Sequence, residues 1–144
     1  MRILHLISSS GLFGAERVVI ELSKGLKKTG DCRPIVGVLR NVHNPHIEVA
    51  EEASVSGIDT VIFPCNGQFD FKLVTLIRKY IFDNKIDLIH CHGYKSNFFG
   101  LLASRKKIPL VTTNHNWLTS HWRLKVYCLL DSLLIRYFDR IVAV

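Results

Sequence analysis

The chain has 144 residues, 48% of them hydrophobic and 22% charged. Those proportions exclude a disordered or low-complexity chain and leave enough length for one domain with a sizeable core. The formal net charge of +7 favours anionic partners such as nucleotides, nucleic acid or acidic lipid headgroups, and is equally well met by a solvated lysine-rich surface.

No segment reaches the ~18 apolar residues of a membrane span. Arg2 precedes an apolar run, but the run is short and His5 interrupts it, so a signal peptide is not expected. Cys32, Cys65, Cys91 and Cys128 are scattered and form no C-x-x-C pair, so they read as reduced thiols of a cytoplasmic protein.

The first element is a buried strand. Ile3, Leu4, Leu6 and Ile7 form a near-continuous apolar run, as in a parallel strand covered on both faces. Ser8 to Gly14 is a small, flexible loop. A helix follows, with Ala15, Val18, Val19, Leu22 and Leu26 on one face and Arg17, Glu21, Lys24 and Lys28 on the other. A strand that feeds a helix this way presents free backbone N–H groups to a phosphate.

Ile35 to Leu39 is a second strand. Asn44-Pro45 looks like a cap and first position of a short helix ending at Gly57. Val61 to Phe63 is a third strand, stopped by Pro64. Asp70 is placed to cap a helix carrying Phe71, Val74, Ile77 and Ile81 on one face. Asp87 to Cys91 is a fourth strand. Ser96 to Lys107 is a helix whose last turn, Arg105-Lys106-Lys107, complements the helix dipole. Pro109 to Thr113 is a fifth strand, a long helix is expected from about Thr119 to Tyr137, and Arg140 to Val144 begins a sixth strand.

Strands alternating with helices imply right-handed βαβ units. The expected fold is therefore α/β: a doubly wound, Rossmann-like parallel sheet in three αβα layers. In such a sheet, ligands bind beyond the carboxyl ends of the strands where strand order reverses. With the usual order, Ser8 to Gly14, His92-Gly93 and Asn114-His115-Asn116 converge on one crevice.

The first loop has Gly11 and Gly14, but neither G-x-G-x-x-G nor a Walker loop. His90 and His92 share a strand face, a spacing that permits zinc with His5 or His115 as a third ligand. The weaker parts of that pattern favour a core histidine at His90 and a crevice-facing one at His92. His115, between two asparagines after a strand, suits a sugar hydroxyl, because a neutral imidazole both donates and accepts. Trp117, Leu118 and Trp122, interleaved with His121, Arg123 and Lys125, permit a peripheral membrane contact. Nothing resembles a nucleic-acid-binding motif.

Several segments together resemble one family. Phe13-Gly14-Ala15-Glu16-Arg17 resembles the G-G-A-E-R opening of glycosyltransferase family four, the retaining GT-B enzymes. MRILHLIS is similar to their first strand. Asp87 to Gly93 is similar to their D-x-x-H-x-H segment, and Val111 to His115 to their strand-to-histidine segment. Phe138 to Val144 is similar to the A-D-x-I-V-A-V-S that closes their amino-terminal subdomain.

The resemblance implies that residues 1–144 are the amino-terminal, acceptor-side domain of a two-lobe enzyme. That enzyme would transfer a sugar from a nucleotide-sugar to a glycan or lipid-linked acceptor. It implies a substrate nucleotide-sugar but no cofactor and no metal. His115 would be catalytic; Gly11, Gly14, Ala15, His92 and Asn116 would bind substrate. Phe13 departs from the family's first glycine, which puts close approach to the phosphates in doubt. The carboxyl-terminal donor lobe falls outside these residues, so the chain is expected to be inactive alone, either a piece of a longer protein or half of a split enzyme. The rival expectations are an NAD(P)-binding Rossmann domain, with Arg40 meeting a 2′-phosphate, and a non-catalytic binding subunit.

Overall fold

The computed structural model describes residues 1–67, 69–105, 107–114, 129 and 131–143. The apolar runs become one six-stranded sheet of order β3-β2-β1-β4-β5-β6, parallel at every pairing. The strands are β1 (Arg2–Ile7), β2 (Arg33–Asn41), β3 (Asp59–Cys65), β4 (Leu88–His92), β5 (Leu110–Asn114) and β6 (Arg140–Ala143). The helices are α1 (Gly14–Lys28), α2 (Glu48–Val55), α3 (Phe71–Asp83) and α4 (Tyr94–Ser104), followed by a 3-10 turn at Ile135–Tyr137. The expected doubly wound α/β fold and strand order are both present.

Alternation splits the core in two. Leu4 and Leu6 of β1, Ile35 and Leu39 of β2, and Ile89 and Cys91 of β4 pack with α3 and α4 through Leu73, Ile77 and Phe99. Ile7, Val36 and Val38 point the other way, against Val19 and Ile20 of α1 and Val49, Ala50 and Ala53 of α2. Both faces of the central strands are thus dry, which accounts for their unbroken apolar runs.

Two aspartates set strand alignment just ahead of their own strands. The Arg2 N–H donates to Asp87 Oδ2 at 2.6 Å, and the Asp87 N–H donates back to Arg2 O at 2.9 Å. Asp139 repeats the device at β5: the Leu110 N–H donates to Asp139 Oδ2 at 2.8 Å, and the Asp139 N–H donates to Leu110 O at 2.9 Å. The expected Asp70 cap is also formed, its carboxylate accepting the N–H groups of Lys72 and Leu73. Such a cap contributes about 1 kcal/mol.

Several boundaries differ from expectation. The helix expected from Asn44 begins only at Glu48, because Asn41 Oδ1 accepts the His43 N–H at 3.0 Å and residues 45–47 stay irregular. A side chain that bonds its own neighbouring backbone competes with helix entry. Pro64 does not stop β3; it pairs with Arg40 inside the strand, where an edge position spares the missing N–H. Residue Arg105 takes the left-handed conformation (φ 49°) and ends α4, so the basic run follows the helix rather than forming its last turn. On α1 the buried residues are Glu16, Val19, Ile20 and Ser23, while Val18 is 40% exposed. The buried face is thus rotated from the apolar stripe read from the sequence, and two polar residues, Glu16 and Ser23, lie on it. Most of the helix expected over 119–137 lies outside the described residues, of which 131–134 are helical.

Gly100 brings α4 close to the sheet: a Cβ there would collide with Cys91 Sγ. Alanine in a helix interior normally gains up to about 1 kcal/mol over glycine. Here Gly100→Ala should instead lower stability by about 1–3 kcal/mol through overpacking. Urea midpoints should show the loss, and a Cys91→Ala background should remove most of it; a more stable Gly100→Ala chain would contradict this packing.

Candidate functional site

Strand order reverses between β1 and β4. In the sheet Ile7 lies opposite His92, and His92 opposite Thr113. The segments that leave β1, β4 and β5 therefore emerge side by side at the carboxyl edge, the position at which doubly wound sheets bind ligands.

The first segment, Ser8 to Phe13, is tightly folded. The Gly11 N–H donates to Ser9 Oγ at 3.1 Å, and Ser9 Oγ donates to Gly11 O at 2.5 Å. Gly11 adopts φ +153°, and a Cβ on it would come within 2.7 Å of Phe13 Cε2. The backbone conformation of the turn thus favours glycine there, while the exposed Phe13 ring could swing aside from a side chain. Phe13, 64% exposed, precedes the first residue of α1. It has no side-chain acceptor, so only half of a capping box forms: Glu16 Oε2 accepts the Phe13 N–H at 3.1 Å. Gly14 is exposed, and a Cβ placed on it would meet nothing within 4 Å. Ala15 beside it is half-buried. The first N–H groups of a helix have no intrahelical acceptor. The space beside Gly14 is open to an anion.

Beneath this rim lie three buried imidazoles. His5 is 0%, His92 4% and His90 9% exposed. His5 Nδ1 lies 3.3 Å from His92 Nε2, and His90 Nε2 lies 2.7 Å from Thr113 Oγ1. The rings of His90 and His92 lie 4.2 Å apart between centroids, tilted by 32°. The sequence reading puts His92 just after the fourth strand; it is the last residue within β4 and is buried against its neighbours. Burial first, and the neighbouring His90 second, pull the His5 pKa down to about 3. Each of the three offers a ring nitrogen, and these atoms lie within 4.8 Å of one another. They are the group among the described residues suited to a metal ion.

A second polar cluster sits on the opposite face of the sheet. Asn97 Nδ2 donates to Asp131 Oδ1, and Thr112 Oγ1 donates to Asn97 Oδ1, both at 2.7 Å. Burial pushes the Asp131 carboxyl above the ordinary range, while its bond from Asn97 pulls the other way. This cluster ties α4, β5 and the segment at Asp131 together. Sequence reasoning missed it because its members lie far apart and carry no motif.

His115 and Asn116 lie outside the described residues, as do Trp117, Trp122 and Cys128. Arg40 lies within β2, one residue before its end. Cys32, Cys65 and Cys91 are free thiols, and burial pushes the Cys91 pKa up. No helix among the described residues is long and apolar enough to cross a membrane. Two cavities, of about 560 and 350 Å³, are lined by residues such as Lys107 and Arg136 or Arg2 and Arg33. Both sit where strands begin, at the edge away from the glycine loop.

The Glycosyltransferase Family 4 model matches residues 14–144. The chain belongs to Glycosyltransferase Family 4. Solved structures share the GT-B lobe fold. Anabaena Alr3699/HepE, in complex with UDP and glucose, superposes with a TM-score of 0.77 at 21% identity, covering 98% of this chain and 37% of that one. S. aureus MnaA with UDP gives 0.71 at 18% identity, covering 99% and 37%. Acinetobacter baumannii MurG gives 0.70 at 15% identity, covering 99% and 40%. The family chain described here thus spans 37–40% of the length of these three. A search of curated proteins gives no match.

A pH dependence follows from His5. Its folded pKa of about 3 lies below the ordinary 6.5, so acid favours the unfolded chain, which takes up the proton more readily. That contribution is fully present above pH ~6.5 and is lost as pH falls towards ~3, at on the order of 1 kcal/mol per pH unit. Denaturation between pH 7 and 5, with a chelator present, should show the decline, and His5→Leu should lessen it. Stability equally pH-dependent in His5→Leu would contradict this origin.

Proposed function

We propose that this chain is the acceptor-side lobe of a retaining glycosyltransferase. It moves a sugar from a nucleotide-sugar donor to a glycan or lipid-linked acceptor. Turnover needs a carboxyl-terminal donor lobe, in the same polypeptide or in a partner chain, and residues 1–144 alone are inactive. The observation that carries this reading is the family match over residues 14–144. UDP and glucose in the HepE complex, and UDP in the MnaA complex, support a nucleotide-sugar as the donor class.

In this reading the N–H groups at Gly14 and Ala15 meet the donor diphosphate, and Gly11 keeps the loop folded tightly enough to allow it. Oriented N–H groups at a helix start favour negative charge there. His115 holds the transferred sugar and supports it electrostatically as its bond to the nucleotide breaks. Asn116 adds a hydrogen bond to substrate, and His92 shapes the floor of the cleft. The nucleotide-sugar is a substrate, and no cofactor takes part. Trp117, Trp122, Arg123 and Lys125 suit a peripheral contact with the membrane of a lipid-linked acceptor, on its cytoplasmic side. Nucleic acid has no place in this scheme.

The test is transfer by the chain joined to a donor lobe of this family. Sugar transfer should require both lobes. His115→Ala should cut kcat by about 10²–10³-fold, as loss of a group that stabilises transition-state charge does, with little change in nucleotide affinity. An unchanged rate would remove His115 from the mechanism. A stable lobe pair that never transfers sugar would instead make the chain a binding subunit, and micromolar NADPH binding would make it a dinucleotide-binding domain.

A further inference from the structure

We propose that His5, His90 and His92 bind one divalent transition-metal ion, with Zn2+ the expected occupant. The site goes beyond the transferase reading, which calls for no metal, and stands or falls separately from it.

Geometry comes first. His5 Nδ1 and His92 Nε2 lie 3.3 Å apart, at the long end of N–H hydrogen-bond distances. This separation matches the edge of a tetrahedron around zinc, about 3.3–3.4 Å for Zn–N bonds of ~2.0–2.1 Å. All three donor nitrogens lie within 4.8 Å of one another. They project from paired strands, with His5 directly opposite His90 in the β1–β4 register, so the backbone holds the spacing without help from a loop.

Donor chemistry then selects the ion. Among the described residues the cluster consists of imidazoles alone, which suit zinc, copper or nickel rather than the oxygen-loving magnesium and calcium. Cys91, between His90 and His92, packs on the other face against Gly100, so it offers no thiolate here. Thr113 Oγ1 holds His90 Nε2 at 2.7 Å, so Nδ1 would be the nitrogen that meets the ion. Metal-binding imidazoles are commonly oriented through their second nitrogen in this way. A His5 that ligates through Nδ1 carries its proton on Nε2, which meets no partner among the described residues. Three protein ligands leave a fourth position for water. The ion would tie β1 to β4 at the switch point, under the glycine loop.

The experiment titrates the chelator-stripped chain with Co2+ as a spectroscopic probe, then with Zn2+ in competition. One Co2+ per chain is expected, with the intense visible bands of a tetrahedral site, displaced by one equivalent of Zn2+ and accompanied by a higher Tm. Thr113→Val, which removes the bond to His90 and little volume, should weaken the affinity by about 10–100-fold. His92→Gln should abolish binding, and the exposed-loop variant His43→Gln should leave it unchanged. Should His92→Gln fail to fold, the spectrum of the unaltered chain and the Thr113→Val shift still decide. Substoichiometric binding, weak octahedral bands, a near-ultraviolet thiolate band, or Thr113→Val affinity equal to that of the unaltered chain would each overturn the site.

Discussion

Everything at the rim depends on how β4 returns to pair with β1. The chain first winds outward through β2 and β3 and then comes back to the other side of β1. Asp87 sets that return, bonding Arg2 through both its backbone and its carboxylate. From this start the register runs to Ile7 opposite His92, and on through β5 to Thr113. A slip of one residue would turn His90 and His92 into the α3–α4 face and bring Cys91 under the glycine loop. The aspartate of the D-x-x-H-x-H segment is therefore an alignment device, and so is Asp139 ahead of β6.

The sheet carries polar groups in its interior on both faces. On one face the imidazoles lie beneath the β1–α1 loop, and on the other Asn97, Thr112 and Asp131 bond in sequence. Buried polar groups are costly unless satisfied, so each such cluster fixes a unique arrangement of the elements it joins. The imidazole cluster reaches the carboxyl-edge rim at His92, the last residue of β4, while Thr112 of the second cluster sits midway along β5. The apolar contacts of Leu4, Leu6 and Ile89 give the lobe its stability, while these polar groups specify the floor under the rim.

The fold was legible because its signals are local and periodic. The run Ile3 to Ile7 shows a doubly covered strand, and Asp70 announces α3 by cap chemistry alone. Boundaries were misread where a side chain bonded nearby backbone instead of following propensity, as Asn41 did ahead of α2. The face of α1 differs from the apolar stripe because two of its buried residues, Glu16 and Ser23, are polar, which hydrophobic periodicity cannot register. At the site, Gly11 and Gly14 were visible as a loop signal, and the pairing of His90 with His92 as a two-residue spacing. The approach of His5 to both depended on strand order. The Asn97–Asp131 bond joins residues 34 positions apart, a distance at which sequence spacing carries no information.

The central claim is that the donor's diphosphate meets this lobe at the reversal of strand order. It is tested most directly by a crystal structure of the chain with a donor lobe and an intact UDP-sugar. The account predicts a phosphate oxygen within hydrogen-bonding distance of the N–H groups at Gly14 or Ala15. A nucleotide seated instead at the opposite edge, in the cavity lined by Lys107 and Arg136, would contradict it.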